Sequence, residues 1–157
     1  MTEKEFEQYY NLYSQELFGI AYSYTRNKSD SEDIIQNVFV KMIVSKKKFK
    51  SDKDLKYWLI RLTMNESIDL LRKERKENEL KEPEMVYTLP DNSTSEYPDL
   101  LYYISKLEDK YRRVIILYYY NNYSNKEIAE LLGIKEDNVR KLLERGRNLL
   151  KERIGEE

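Results

Sequence analysis

The chain has no cysteine and no histidine. Disulfides and thiolate metal sites are therefore excluded, and the commonest general base and metal ligand at neutral pH is missing. Any enzyme built on this sequence would work with carboxylates, lysine or tyrosine. Proline and glycine are scarce, at 3 and 4 of 157 residues, which leaves few breaks in helical runs. No apolar run approaches the roughly 18 residues of a membrane span. The opening MTEKEFEQYY is acidic and aromatic, unlike a signal peptide. The expected location is the cytoplasm.

What is present is 40% hydrophobic and 36% charged. That balance suits a soluble, mainly helical protein of one ordinary domain or two small ones. The net charge of −1 argues at first against nucleic acid. Its distribution argues otherwise, because local charge sets the field that a phosphate backbone meets. Residues 46–76 hold eleven Lys/Arg against five Asp/Glu, and residues 110–157 hold eleven against eight. Between them, residues 81–109 hold two against seven. Taken alone, either basic run is better explained as the solvated face of a helix.

Apolar spacing predicts three helices before residue 77. The first starts at the capping box Thr2-Glu3-Lys4-Glu5 and continues through Phe6, Tyr9, Tyr10, Tyr13, Leu17, Ile20, Ala21 and Tyr24. A second box, Ser29-Asp30-Ser31-Glu32, opens a stripe of Ile34, Ile35, Val38, Phe39, Met42 and Ile43. Ser45–Lys53 is polar and basic, as a loop would be. A long helix then covers Asp54–Lys76, with Leu55, Trp58, Leu59, Leu62, Ile68 and Leu71 as its expected buried side. Its basic residues and the neighbouring Tyr57 and Trp58 would suit unstacked bases. Periodicity alone favours the plainer assignment, with Trp58 in the core and the basic residues on the surface. The stretch 78–97 is acidic, lacks a helical period and contains Pro83 and Pro90, as a linker does. Helices are expected over Asp99–Lys106 and Glu108–Tyr120.

Ser124-Asn125-Lys126-Glu127 is a third capping box. Ile128, Ala129, Leu131, Leu132 and Gly133 follow, with Val139 six residues on. That is the spacing of a helix-turn-helix: a small residue where the helices cross, and a glycine for the tight turn. Ile134, Val139 and Leu142 are expected to fill the wedge. In the second helix Val139, Leu142, Leu143, Gly146, Leu149 and Leu150 share an arc of about 120° at 100° per residue. Arg140, Lys141, Glu144, Arg145, Arg147, Asn148 and Lys151 occupy the remainder, where phosphates and guanine edges could be met. An ordinary amphipathic helix would share this pattern; the Ala129–Gly133–Val139 spacing favours DNA.

Three blocks in this order resemble the extracytoplasmic-function sigma factors of the bacterial sigma-70-type superfamily. SDSEDIIQNVFV at residues 29–40 is similar to that family's core-polymerase-binding helix. DLKYWLIRLTMNESIDLLRKERK at 54–76 is similar to its promoter-melting, minus-10-reading helix. Residues 107–147, with EIAELLGI and NVRKLLERGR, are similar to its minus-35-binding domain. The resemblance implies an all-α fold of two small domains, a three-helix one at 1–77 and a four-helix helix-turn-helix one at 98–157, joined by a flexible linker at 78–97. It implies a non-enzymatic factor, without cofactor or small-molecule substrate, that directs core RNA polymerase to specific promoters. By position, Asp33, Gln36 and Asn37 would face the polymerase. Lys48, Trp58, Arg61, Asn65 and Arg72 would serve the minus-10 element. Ser124, Asn138, Arg140, Lys141, Glu144 and Arg145 would serve the minus-35 element. An anti-sigma partner, often membrane-anchored, is also implied. Asn37 stands where the family usually has Glu, and Leu142 replaces a common basic residue. Gly146 replaces a usual Ala, an exchange that loosens a helix by about 1 kcal/mol. The alternatives are an autonomous helix-turn-helix regulator using residues 1–77 to dimerise or sense, and a helical interaction module with degenerate DNA binding.

Overall fold

A computed structural model describes residues 1–80 and 100–155. The chain divides into two compact units, Met1–Thr94 and Ser95–Glu157. Among the described residues there is helix and no strand.

The first unit contains α1 (Glu3–Thr25), α2 (Lys28–Val44) and α3 (Asp52–Leu80). Thr2 caps α1 by accepting from the Glu5 amide at 3.1 Å. Arg26 closes α1 in the left-handed region, at φ 53°. Asn27 immediately caps α2, accepting from the Asp30 amide at 2.9 Å. The box expected at Ser29 is therefore not the helix start. The turn leaves two residues between the helices, and an asparagine is already in place to satisfy the orphan donors. Ser31 is instead buried, donating to the Asn27 carbonyl at 2.7 Å. Ser51 accepts from the Asp54 amide at 3.2 Å and caps α3, whose first turn holds Asp52 and Asp54, acids that its dipole favours.

The core of this unit joins Leu17, Ile20, Ala21 and Tyr24 of α1 to Ile34, Ile35, Val38, Phe39 and Met42 of α2. From α3 it takes Leu55, Leu59 and Ile68, as expected, and also Tyr57, Ile60 and Met64. Trp58, Leu62 and Leu71 are only half-buried. On α3, which packs on both α1 and α2, the buried residues from Leu55 to Ile68 spread over an arc of about 220° at 100° per residue, wider than one stripe. Thr63 and Ser67 enter that core by donating to the Leu59 and Thr63 carbonyls, at 2.8 and 2.7 Å. Lys56–Glu16, at 3.3 Å, and Lys41–Glu66 pair the helices across their rims. Helix α3 extends to Leu80, past the expected start of the linker at 78. Residues 81–99, including Pro83, Pro90 and Pro98, lie outside the described residues.

The second unit contains α4 (Leu100–Ser105), α5 (Asp109–Ile115), a π-turn (Ile116–Tyr120), α6 (Asn125–Leu132) and α7 (Glu136–Gly155). The helix expected over 108–120 thus changes form at Ile116, where the Asn121 amide bonds the Ile116 carbonyl five residues back, at 3.2 Å. Apolar spacing does not distinguish the two forms over one turn. Ser124 caps α6 with both halves of the capping box, at 3.1 and 3.0 Å. Gly133 ends α6 at φ 69°, which a glycine adopts without strain. Val139 is fully buried with Ile128, Leu131 and Leu143, while Ile134 and Leu142 sit at the rim of the wedge. Arg112 is buried, paired with Asp109 and donating to the Ser105 carbonyl at 3.3 Å. Gly146 lies where α7 crosses α5: a Cβ there would come within 2.6 Å of Ile115 Cδ1. The expectation that this glycine only loosens α7 omitted the packing it permits.

Candidate polymerase and nucleic-acid interfaces

Helix α2 has two opposite faces. Asp33, Gln36 and Asn37 are all exposed. At 100° per residue they share an arc of about 120° with Val40, Ile43 and Val44, which are 56%, 51% and 72% exposed. The buried residues Ile34, Ile35, Val38, Phe39 and Met42 lie opposite. Ile43 was expected in the buried stripe, but its angle places it with Val40 and Val44. The result is a helix face with a polar N-terminal half and an apolar C-terminal half. Sequence reasoning missed the apolar half, although Val40 and Val44 fall outside the buried period.

Trp58, Arg61, Asn65 and Arg72 fall within about 60° of one another on α3, in a line roughly 21 Å long at 1.5 Å per residue. Asn65 and Arg72 are exposed, and Trp58 and Arg61 are half-buried. Trp58 is covered on one side by Phe49 of the loop, ring centroids 5.3 Å apart at 57°. Tyr57 is 5% exposed and belongs to the core, so only one aromatic of the Tyr57-Trp58 pair borders this line. The Lys47 ammonium stands 6.0 Å from the Phe49 ring centre. Lys48 is exposed on the same loop. The arrangement offers cations, one amide and an aromatic pair, which is what single-stranded bases and their phosphates require.

On α7, Asn138, Arg140, Lys141, Glu144 and Arg145 are all exposed and span an arc of about 160°. Arg140 donates to the Asp137 carboxylate at 2.6 Å. Ser124 is exposed, and its hydroxyl is engaged in capping α6. Arg147, expected on the open side of α7 but not in the minus-35 set that the resemblance implies, borders the same face and donates from Nη1 to the Tyr119 hydroxyl at 3.0 Å. That partner is 28 residues away, and no local pattern announces it.

Among the described residues no group of three or more Asp or Glu is placed to hold a metal. No described helix is long and apolar enough to cross a membrane.

Comparison with known proteins follows the same division. The Sigma-70 region 2 family matches residues 9–77, and the Sigma-70, region 4 family matches residues 99–150. The chain is 28% identical over 152 residues to the ECF RNA polymerase sigma factor SigM of Bacillus subtilis, covering 92% of each chain. It is 28% identical over 161 residues to SigW of the same organism, covering 92% of this chain and 86% of that one. Among solved structures it is similar to the sigma factor RpoE of Bartonella quintana, in complex with the anti-sigma factor NepR. That match has a TM-score of 0.71 at 23% identity and covers 95% and 96% of the two chains. It is also similar to CnrH, in complex with the cytosolic domain of CnrY, with a TM-score of 0.73 at 23% identity, covering 99% and 91%.

Proposed function

The chain belongs to the extracytoplasmic-function group of sigma-70-type RNA polymerase sigma factors, and from that premise we propose how its three open faces divide the work of directing core polymerase to promoters. The exposed face of α2, with Asp33, Gln36 and Asn37 followed by Val40, Ile43 and Val44, docks on core polymerase. Lys48, Trp58, Arg61, Asn65 and Arg72 engage the melted minus-10 strand. Ser124, Asn138, Arg140, Lys141, Glu144 and Arg145 face the minus-35 element. Residues 1–77 and 98–157 are the two working domains, and the acidic connector between them is their tether.

One observation carries this reading: α2, α3 and α7 each bury one side and leave a continuous, chemically distinct face uncovered. Unstacking a base costs a few kcal/mol, offset by about 1–3 kcal/mol of aromatic stacking per base. Two tethered weak readers bind together more tightly than either does alone, provided the tether spans their sites. The factor performs no chemistry of its own and works in the cytoplasm, where polymerase is. A membrane-anchored anti-sigma protein is the expected inhibitor. The complex of the similar sigma factor RpoE with the anti-sigma factor NepR supports that partner.

The test is reconstitution. The full chain should co-purify with core polymerase and drive run-off transcription from a subset of a genomic fragment library. Arg140→Ala with Lys141→Ala should abolish transcription and leave polymerase binding intact. Loss of polymerase binding in that variant would overturn the assignment of α7. A homodimer protecting a palindromic site without polymerase would overturn the whole reading in favour of an autonomous regulator.

A further inference from the structure

Two arginines on one edge of α7 are held differently. Arg140 and Arg147 both line an open groove of about 370 Å³, with Tyr118, Asn125, Leu143 and Glu144. Arg140 is tied to a carboxylate of its own helix, Asp137. That pair is exposed to solvent, so it directs the guanidinium toward its own helix more than it neutralises it. Arg147 is tied to a neutral hydroxyl, Tyr119 Oη. A hydroxyl acceptor orients a guanidinium without cancelling its charge, and one bond uses one of its five donors. The guanidinium is cationic in any case; the bond raises its pKa further and fixes its direction.

The π-turn is what brings the hydroxyl there. Its widened turn buries Ile116 and Leu117 and leaves Tyr118 and Tyr119 exposed toward α7. Single π-turns are frequent at functional sites. An arginine already fixed in one orientation loses less freedom when it meets an anion.

We propose that Arg147, oriented by the Tyr119 hydroxyl, is a pre-ordered contact to a DNA backbone phosphate, and that Tyr119 is its positioning residue. The proposal rests on the assignment of α7 to the minus-35 element. The ligand is the phosphodiester rather than a base edge. With one donor engaged by Tyr119 and with Arg140 and Glu144 beside it in the groove, Arg147 supplies a fixed positive charge at the border of the α7 face. Contacts of that kind position a protein on the duplex without reading its sequence.

The experiment uses holoenzyme reconstituted from core polymerase and the full chain. A labelled promoter fragment, recovered from the run-off library, is titrated across a range of salt concentrations. Arg147→Ala should weaken binding about 10-fold and flatten the slope of log K against log salt by about 1. The loss should be the same across minus-35 sequence variants. Tyr119→Phe keeps the ring and the arginine charge. It should weaken binding about 3-fold and leave the salt slope unchanged. The double variant should bind no worse than Arg147→Ala alone. A merely structural role would instead lower the thermal midpoint of the unit and leave the slope alone. An unchanged slope in Arg147→Ala, or an additive loss in the double variant, overturns the proposal while wild-type binding stands. If the wild-type holoenzyme selects no fragment at all, the assignment of α7 falls first and the proposal falls with it.

Discussion

Gly146→Ala sets two effects of similar size against each other. Alanine in a helix interior is favoured over glycine by about 1 kcal/mol. Against this, the new Cβ would stand 2.6 Å from Ile115 Cδ1 and 3.5 Å from Tyr111 Cβ. Ile115 is 1% exposed, so its terminal methyl must turn within a packed core. Overpacking of this kind costs about 1–3 kcal/mol. The contact involves one methyl at the end of a side chain, so about 2 kcal/mol is a fair magnitude. The net expectation is a loss of about 1 kcal/mol in the second unit. The single tryptophan, Trp58, lies in the first unit and does not report on it. Amide hydrogen exchange along α7 does, and protection at Leu143 and Leu150 should fall about 5-fold. Ile115→Val removes the offending methyl. Alone it should cost about 0.5–1.5 kcal/mol, but it should restore protection in the Gly146→Ala background. Greater protection in Gly146→Ala alone would show that helix propensity decides the site and that the α5–α7 crossing has room to spare.

Other expectations concern separate parts of the chain. Ser124→Ala should cost about 1 kcal/mol by removing the cap of α6, again visible as faster exchange in the second unit. Val44→Asp should cost no more than about 1 kcal/mol of stability, since the residue is exposed and the new acid opposes the α2 dipole by about 0.3–1 kcal/mol, yet weaken core-polymerase binding in a pull-down titration. Unchanged binding would remove the apolar half of the α2 face from the interface. Burial and the neighbouring Asp30 hold the Glu74 carboxyl above its ordinary value. A raised carboxyl pKa means the folded state binds the proton more tightly, so stability falls as pH rises from about 4 through the folded value. Glu74→Gln should therefore raise the urea midpoint, followed by Trp58 fluorescence, at pH 7. The advantage should vanish below about pH 4, where both states are protonated.

The caps at Thr2 and Ser124 were legible because their signal is local. Thr2 and Ser124 act as their sequences suggest, because an N-cap bond spans three residues. Asn27 displaced Ser29 for a reason that needs the neighbouring helix: Arg26 had already turned the chain. The apolar period located the core, but it could not say how many neighbours a helix has. All three helices of the first unit pack on both others, yet α3 buries a wide arc that takes in Tyr57, Ile60 and Met64, whereas α2 leaves the arc that holds Ile43 open. The helix-turn-helix was readable from Ala129, Gly133 and Val139, whose roles follow from size and backbone freedom. The π-turn and the Tyr119–Arg147 bond were not. The first differs from α-helix by one hydrogen-bond step, and the second joins residues 28 apart.

The two-residue corner at Arg26-Asn27 has a consequence in time. Each helix of the first unit packs on its sequence neighbours, joined by a short corner and a seven-residue loop at 45–51. Helical bundles with such local contacts fold in microseconds to milliseconds. A ribosome adds about 5–20 residues per second, so the second half of the chain takes seconds to emerge. The α2 face proposed to dock on polymerase is therefore expected to mature on the nascent chain before α7 has been synthesised.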